Sequence, residues 1–271
     1  MDLHDTVALV TGASRGVGRA VAIALAQAGA DVACAARATD DSPLKLPGTV
    51  DETVRQVEAV GRRGLAVPTN LASEADVERM VRRTIEHFGR IDVLINNAAI
   101  TFAGDLALPM KRYDLIMAVN LRAALQAIQL VAEGMQARRA GAIVNVSSAA
   151  GLHPFPGLMA YGMSKAAMER MSIDVAQQLR PFGIAVNTFR IDVPVASEGF
   201  VANLPDVDHG DWEPTEVPAE GIIWMLCQPP TYTGHNVGMV ELRAAHGIMR
   251  SRAARPFVVP ADHPAARDPT R

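Results

Sequence analysis

The chain has 271 residues, a formal charge of −3, 49% hydrophobic residues and 4% aromatic residues. The balance of 26 basic against 29 acidic side chains gives no basic excess for a nucleic acid, and so few aromatics give no base-stacking platform. Two cysteines, Cys34 and Cys227, are too few for a disulfide framework and lack metal-ligand spacing, so no metal site is expected.

Residues 7–10 are an apolar run that ends at Thr11-Gly12, which predicts a buried strand. Val17, Ala20, Val21, Ala24, Leu25 and Ala28 then recur at helical spacing and stop at Gly29. A second strand follows over 32–35, with Cys34 as a core thiol. Strand, glycine turn, helix and strand within about thirty residues have the size of one βαβ unit. Residues 38–48 hold Asp40, Asp41, Ser42, Pro43, Pro47 and Gly48 and predict a loop. A helix is expected from about 49 to 62, with Val50, Val54, Val57 and Val60 on its inner side. After a strand over 65–68, Ser73 caps a helix that turns Val77, Met80, Val81, Ile85 and Phe88 inward, with Asp76 at its third position.

The next predicted strand, 93–95, ends at Asn96-Asn97. A long helical region over 111–136 precedes a strand over 142–146, which ends at Ser147-Ser148. A helix carrying Tyr161 and Lys165 runs to about 179, and a strand is expected over 185–188. A short helix over 219–227 and a last strand over 236–240 close the series.

This alternation predicts an α/β fold: a doubly wound parallel sheet of the Rossmann type, about seven strands with helices on both faces. One domain is expected over 1–250, followed by a mobile or partner-docked extension over 251–271, rich in Pro, Ala and Arg. Asp2, His4 and Asp5 break any apolar start, and no uncharged stretch reaches the ~18 residues that a membrane span needs. A reducing, cytoplasmic setting is the expectation.

Two patterns carry the chemistry. Gly12, Gly16 and Gly18 lie between the first strand and helix, where glycines let the backbone turn and approach a pyrophosphate at the helix N-terminus. The spacing is TGxxxGxG rather than GxGxxG, and a glycine-rich tight turn is the alternative reading. Tyr161 and Lys165 lie one helical turn apart on one face, so an ammonium can favour the phenolate. A free phenol titrates near pH 10, about three pH units above the neutral range in which it would have to act as a base.

Thr11-Gly-Ala-Ser-Arg-Gly-Val-Gly18, Asn96-Asn-Ala-Ala99, Val119-Asn120, Ser148 and Tyr161-Gly-Met-Ser-Lys165 together resemble the short-chain dehydrogenase/reductase family. The likeness covers roughly residues 5–190. The loop ending Lys45-Leu-Pro-Gly48 is similar to the hydroxysteroid dehydrogenase-like subgroup. The resemblance implies catalytic roles for Asn120, Ser148, Tyr161 and Lys165. Tyr161 would exchange the proton, Lys165 would also hold the nicotinamide ribose, Ser148 would hold the substrate oxygen, and Asn120 would fix a water. Ser147 is the rival for the serine role. The same resemblance places Gly12, Ser14, Arg15, Gly16, Val17, Gly18, Arg37, Asn70, Leu71, Asn97, Ala98, Ala99, Tyr161 and Lys165 around the dinucleotide.

There are departures from the family pattern. Ala99 stands for a glycine, Asn70 for an acidic residue, Ile191-Asp192 for Pro-Gly and Ala196-Ser197 for the following threonine position. The usual glycine-rich ending is missing after Val240.

An NAD site usually carries an acid at the end of the second strand. Here Ala36-Arg37 stands there and Arg15 lies in the glycine turn, which suits a 2′-phosphate and predicts NADP, with NAD as the alternative. The implied activity is interconversion of a secondary alcohol and a ketone. A non-catalytic dinucleotide-binding sensor or scaffold is the second reading. Phe155, Leu158, Met159, Phe200 and Trp212 are candidates for a lipophilic substrate pocket under a lid over 194–218, and His153 is a further candidate there. By family analogy, a homotetramer or homodimer is expected through residues 111–137 and 161–179.

Overall fold

Strands covered on both faces occupy the centre of the structure. The computed structural model describes residues 1–258. Its strands are β1 (Val7–Thr11), β2 (Asp31–Ala36), β3 (Gly64–Pro68), β4 (Val93–Asn96), β5 (Gly141–Ser148), β6 (Ile184–Ile191) and β7 (Asn236–Gly238). The helices are α1 (Gly16–Gln27), α2 (Val50–Ala59), α3 (Glu74–Phe88), α4 (Met110–Met117), α5 (Ala123–Arg138), α6 (Met159–Leu179), α7 (Glu198–Asn203), α8 (Glu216–Leu226) and α9 (Met239–His246). All strands pair in parallel, in the order β3-β2-β1-β4-β5-β6-β7.

Successive strand residues feed two cores. Ala8, Val10, Val32, Cys34, Val93 and Ile95 pack toward α1, α2, α8 and α9. Leu9, Ala33, Ala35, Leu94 and Ile143 pack toward α3, α5 and α6. This two-sided burial is why the strands read as unbroken apolar runs. Burial pushes the Cys34 thiol up to about 12, so it serves as a small core side chain. Strand order reverses between β1 and β4, and in such sheets ligands bind in a crevice at the carboxyl ends beside that point.

Local signals set most boundaries. Ser73 accepts from Asp76 N at 3.3 Å, as expected. Thr49 and Glu52 form a reciprocal capping box on α2 that the periodicity did not reveal. Two residues expected to face inward do not. Val60 lies beyond the end of α2 and Ile85 lies on the outside of α3; they are 42% and 41% exposed. Thr53 and Thr84 take the inner positions instead, because their hydroxyls bond the Ala13 and Met80 carbonyls and only the methyls need apolar contact.

The region 110–138 is interrupted by a single π turn over Ala118–Arg122. It is long and apolar enough to cross a membrane by length and composition alone. In the fold, its Ala123, Ala127, Ile128, Val131 and Met135 lie in the core beside α3. The expected lid contains α7, and α8 starts at Glu216 rather than near 219. The last strand ends at Gly238, and α9 follows where strand was expected.

Asp192 explains α9. Its Oδ1 accepts from Val240 N at 3.1 Å in the first turn of the helix. A Cβ on Gly238 would collide with the same carboxylate. The acid that replaces a family glycine is therefore a long-range helix cap. The tail docks in part on the chain itself: Arg252 N donates to Glu213 Oε2 at 2.8 Å and Arg255 N to Gly210 O at 2.8 Å. Residues 259–271 of the expected extension lie outside the described residues.

Replacing Asp192 by Ala should cost about 1 kcal/mol, the usual loss of a helix cap. In a domain of this size that lowers Tm by about 2–4 °C in a circular-dichroism melt. An unchanged Tm would refute the capping role.

Candidate active site

Three consecutive residues of β5 hold three side chains of α6. The Val146 carbonyl accepts from Lys165 Nζ at 2.7 Å. The Ser147 hydroxyl donates to Glu169 Oε1 at 2.7 Å. The Ser148 hydroxyl is hydrogen-bonded to the Tyr161 phenol and also accepts from Ala150 N at 3.3 Å. Tyr161, Lys165 and Glu169 recur every fourth residue, so one face of α6 meets the end of the strand. The strand runs two residues further than expected because it stays paired with β6 out to Ser148–Ile191.

Lys165 is 2% exposed, and its Nζ lies 5.7 Å from the centroid of the Tyr161 ring. Burial pushes the ammonium down to about 8, while the Glu169 carboxylate pulls it back up. Burial likewise pushes the Tyr161 phenol up, and the Ser148 hydrogen bond pulls it down. The expected lowering by Lys165 is thus not the dominant influence. A phenolate here would lose hydration, and that loss outweighs an ammonium at this separation.

Asn120 sits in the π turn, fully buried. Its Oδ1 accepts from Ile100 N at 2.8 Å, and its Nδ2 donates to Ile100 O and Ser164 Oγ, both at 3.0 Å. The side chain clamps the segment after β4 to α6. π turns of this kind occur often at functional sites.

The glycine turn closes against the start of that segment. Asn97 Nδ2 donates to Thr11 O at 2.9 Å, and Thr11 Oγ1 accepts from Asn97 N and Ala98 N at 3.1 and 3.2 Å. A Cβ on Gly12, whose φ is +70°, would lie 2.8 Å from Ala98 Cα, and one on Gly18 would collide with the Gly12 carbonyl and the Asn97 amide. Only glycine fits at either position. Ser14 and Val17 are buried beneath the turn, while Ala99 is exposed in the crevice.

At the far end of the crevice, Arg37 is exposed after β2. Arg15 donates to Gly48 O at 3.0 Å, and its partial burial lowers its pKa. Of the two acids that could oppose a phosphate, Asp40 is paired with Arg55 at 2.7 Å and Asp41 is exposed. Asn70 is exposed and accepts from Ala72 N through its own side chain, and its N–H donates to Asp76 Oδ2. Leu71 beside it is half-buried.

The lid brings in a group that was not foreseen. Glu198 Oε2 accepts from Gly16 N at 2.8 Å, at the N-terminus of α1, and Oε1 pairs with Arg19. Arg15 feels the same carboxylate. A negative side chain therefore occupies the kind of place that suits a phosphate. The expected lipophilic residues differ in their surroundings. Phe200 stacks on Trp212 with centroids 4.5 Å apart, Phe155 and Met159 are exposed, and Leu158 and His153 are half-buried.

Glu169, Arg190, Arg19 and Glu198 were not among the expected site residues. Glu169 was legible, being one helical turn after Lys165 on its face. Glu198 was not, because its partner Gly16 lies 182 positions away. Among the described residues no cluster of His, Cys, Asp and Glu could hold a metal ion. The cradle fits a dinucleotide: Gly12 and Gly18 let the turn pack closely on the segment after β4, and a helix N-terminus beside Arg15 and Arg19 already binds an anionic side chain.

Comparison with known proteins agrees with this geometry. The short chain dehydrogenase family matches over residues 6–193. The hydroxysteroid dehydrogenase-like protein 2 of Danio rerio is 31% identical over 242 residues, covering 88% of this chain but 58% of that protein. An uncharacterized NAD-dependent oxidoreductase of Mycobacterium tuberculosis is 33% identical over 249 residues, covering 82% of this chain and 90% of that protein. Among solved structures, a blue fluorescent protein from a metagenomic library in complex with NADPH superposes with a TM-score of 0.74 at 30% identity, covering 88% of this chain and 97% of that one. A short-chain type dehydrogenase/reductase from Mycobacterium marinum gives 0.76 at 25% identity, over 88% and 94%.

Replacing Glu198 by Gln removes the charge that holds the α1 N-terminus. The Kd for NADPH, measured by calorimetry, should fall about three- to tenfold. A Kd that rises instead would mean that Glu198 assists the dinucleotide rather than competing with it.

Proposed function

The chain belongs to the short-chain dehydrogenase family, and from that premise we propose that it interconverts a secondary alcohol and a ketone with NADP(H), Tyr161 acting as general acid and base. The observation that carries this reading is the wall on which Tyr161, Lys165 and Ser148 meet the end of β5. The dinucleotide, when bound, supplies or accepts the hydride. Tyr161 exchanges its phenolic proton with the substrate oxygen. Ser148 donates a hydrogen bond to that oxygen as its charge changes. Lys165 holds a positive charge beside the phenol and bonds the ribose. Asn120 keeps the post-β4 segment and α6 in register, so that the cradle and the proton donor share one crevice.

NADP is favoured over NAD by the charges at the end of β2. Ala36 offers no carboxylate to ribose hydroxyls, Arg37 is exposed beside Arg15, and Asp40 is neutralised by Arg55. Ser14, Val17, Asn70, Leu71, Ala98 and Ala99 line the rest of the proposed cofactor site. Phe155 and Met159, exposed between Ser148 and Tyr161, suit a lipophilic ketone, in keeping with the hydroxysteroid dehydrogenase-like relative.

We read residues 1–250 as one cytoplasmic domain that pairs with further copies of itself. An open groove of about 890 Å³ runs along α4 and the π turn, lined by Lys111, Leu115, Ala118, Leu121 and Leu125, and it offers the face for a second copy. A second reading, a dinucleotide sensor without turnover, is favoured by Glu198 in the anion seat and by Asp192 acting as a helix cap where the family has glycine.

A panel of lipophilic ketones with NADPH separates the two. Turnover with the wild type should fall by about 10³-fold or more in Tyr161→Phe, while NADPH still binds. Comparable rates in both proteins would remove Tyr161 from the mechanism, and binding with no turnover on any ketone would favour the sensor. In the same assay kcat/KM with NADPH should exceed that with NADH.

A further inference from the structure

Arg190 is a buried guanidinium with no part in the mechanism above. It stands on β6 opposite Ser147 of β5 and is 8% exposed. Its Nε donates to Glu169 Oε1 at 2.9 Å and its Nη2 to Oε2 at 2.7 Å. Ser147 adds a third bond to Oε1, at 2.7 Å. The Glu169 carboxylate, itself 6% exposed, is thus held from two strands. It stands one helical turn from Lys165, on the same face of α6, and Lys165 feels its charge.

Stability does not account for this pair. Two buried ions lose hydration, and a hydrophobic pair of equal volume is often as stable. Ser147 also has no part at the substrate oxygen, because its hydroxyl is engaged by Glu169. What the arrangement does control is the direction of the Glu169 carboxylate. Unheld, a buried carboxylate beside a buried ammonium would pair with it, through attraction that is strong in a poorly solvated interior.

We infer that Arg190 and Ser147 are positioning residues for Lys165: they hold the Glu169 carboxylate at the β5–β6 seam, so that the Lys165 ammonium stays on the Val146 carbonyl. This rests on the proposed reading of Lys165 as the charge beside Tyr161, but the contact itself is judged separately. The charged and titratable groups around the ammonium are Tyr161 and Glu169 on α6 and Arg190 on β6. β5 presents Ser147, Ser148 and the Val146 carbonyl, and the π turn presents Asn120 through Ser164.

The chain has three lysines, Lys45, Lys111 and Lys165, so carbon-13 lysine NMR can follow Lys165 directly, with Lys165→Met assigning its signal. Arg190→Met frees the carboxylate and should raise the titration of Lys165 by about one pH unit. Glu169→Gln leaves a guanidinium unopposed and should lower it by about one pH unit. The double variant Glu169→Gln/Arg190→Met should return within about half a pH unit of wild type. Thermal melts identify the folded variants. Shifts of one sign in both single variants, or no shift in either, would overturn the inference. If a single variant does not fold, the double variant decides: return to the wild-type value supports the inference, and a displacement of about one pH unit or more refutes it. The affinity of Lys165→Met for NADPH is the separate test of the reading beneath it. Unchanged affinity would remove Lys165 from the ribose and leave the positioning result standing.

Discussion

A single positive charge, buried beside a phenol, is the constraint around which this molecule is arranged. The Lys165 ammonium is 2% exposed and rests on the carbonyl of Val146. Holding a charge there requires a strand that reaches far enough to offer that carbonyl, and β5 does so because it remains paired to β6 out to Ser148. It requires a helix whose face repeats every fourth residue, so that Tyr161 and Lys165 arrive together. It also requires neighbours that do not neutralise the ammonium. Burial opposes both charged forms, yet it lowers the ammonium only to about 8, so at neutral pH the lysine keeps its charge while the phenol keeps its proton.

The other half of the site is an anion seat. Thr11, Asn97 and the close approach of Gly12 and Gly18 to the post-β4 segment fix the turn that leads into α1. Its Gly16 N–H is taken by Glu198 of the lid. Lid and cradle are thus linked by charge. The carboxylate sits at a helix terminus of the kind that favours an anion.

The fold was largely legible because it depends on local periodicity. Strand runs, helical stripes and the Ser73 cap each follow from residues a few positions apart. Tyr161 and Lys165 were legible for the same reason. The misses share the opposite cause. Val60 and Ile85 lost their inner places to Thr53 and Thr84, whose hydroxyls find helix and loop carbonyls that hydrophobic pattern does not reveal. Asp192 read only as a departure from the family's Pro-Gly, yet it caps α9 from 48 positions away. Glu198 meets Gly16 only once the lid folds over the sheet end, and Arg190 meets Glu169 only through the β5–β6 register. Long-range pairing of charges leaves no periodic trace in the chain.

The ionisation of Tyr161 is the most direct test of this account. It can be read as tyrosinate absorbance, taken as the difference between the protein and its Tyr161→Phe variant. Burial should keep the phenol above the free value of about 10 in the protein alone. Saturation with NADP⁺ should bring it below that value, and Lys165→Met should abolish the drop. A phenol that titrates above the free value with NADP⁺ bound, or that responds identically without the lysine, would contradict the claim that the buried ammonium prepares this residue for proton transfer.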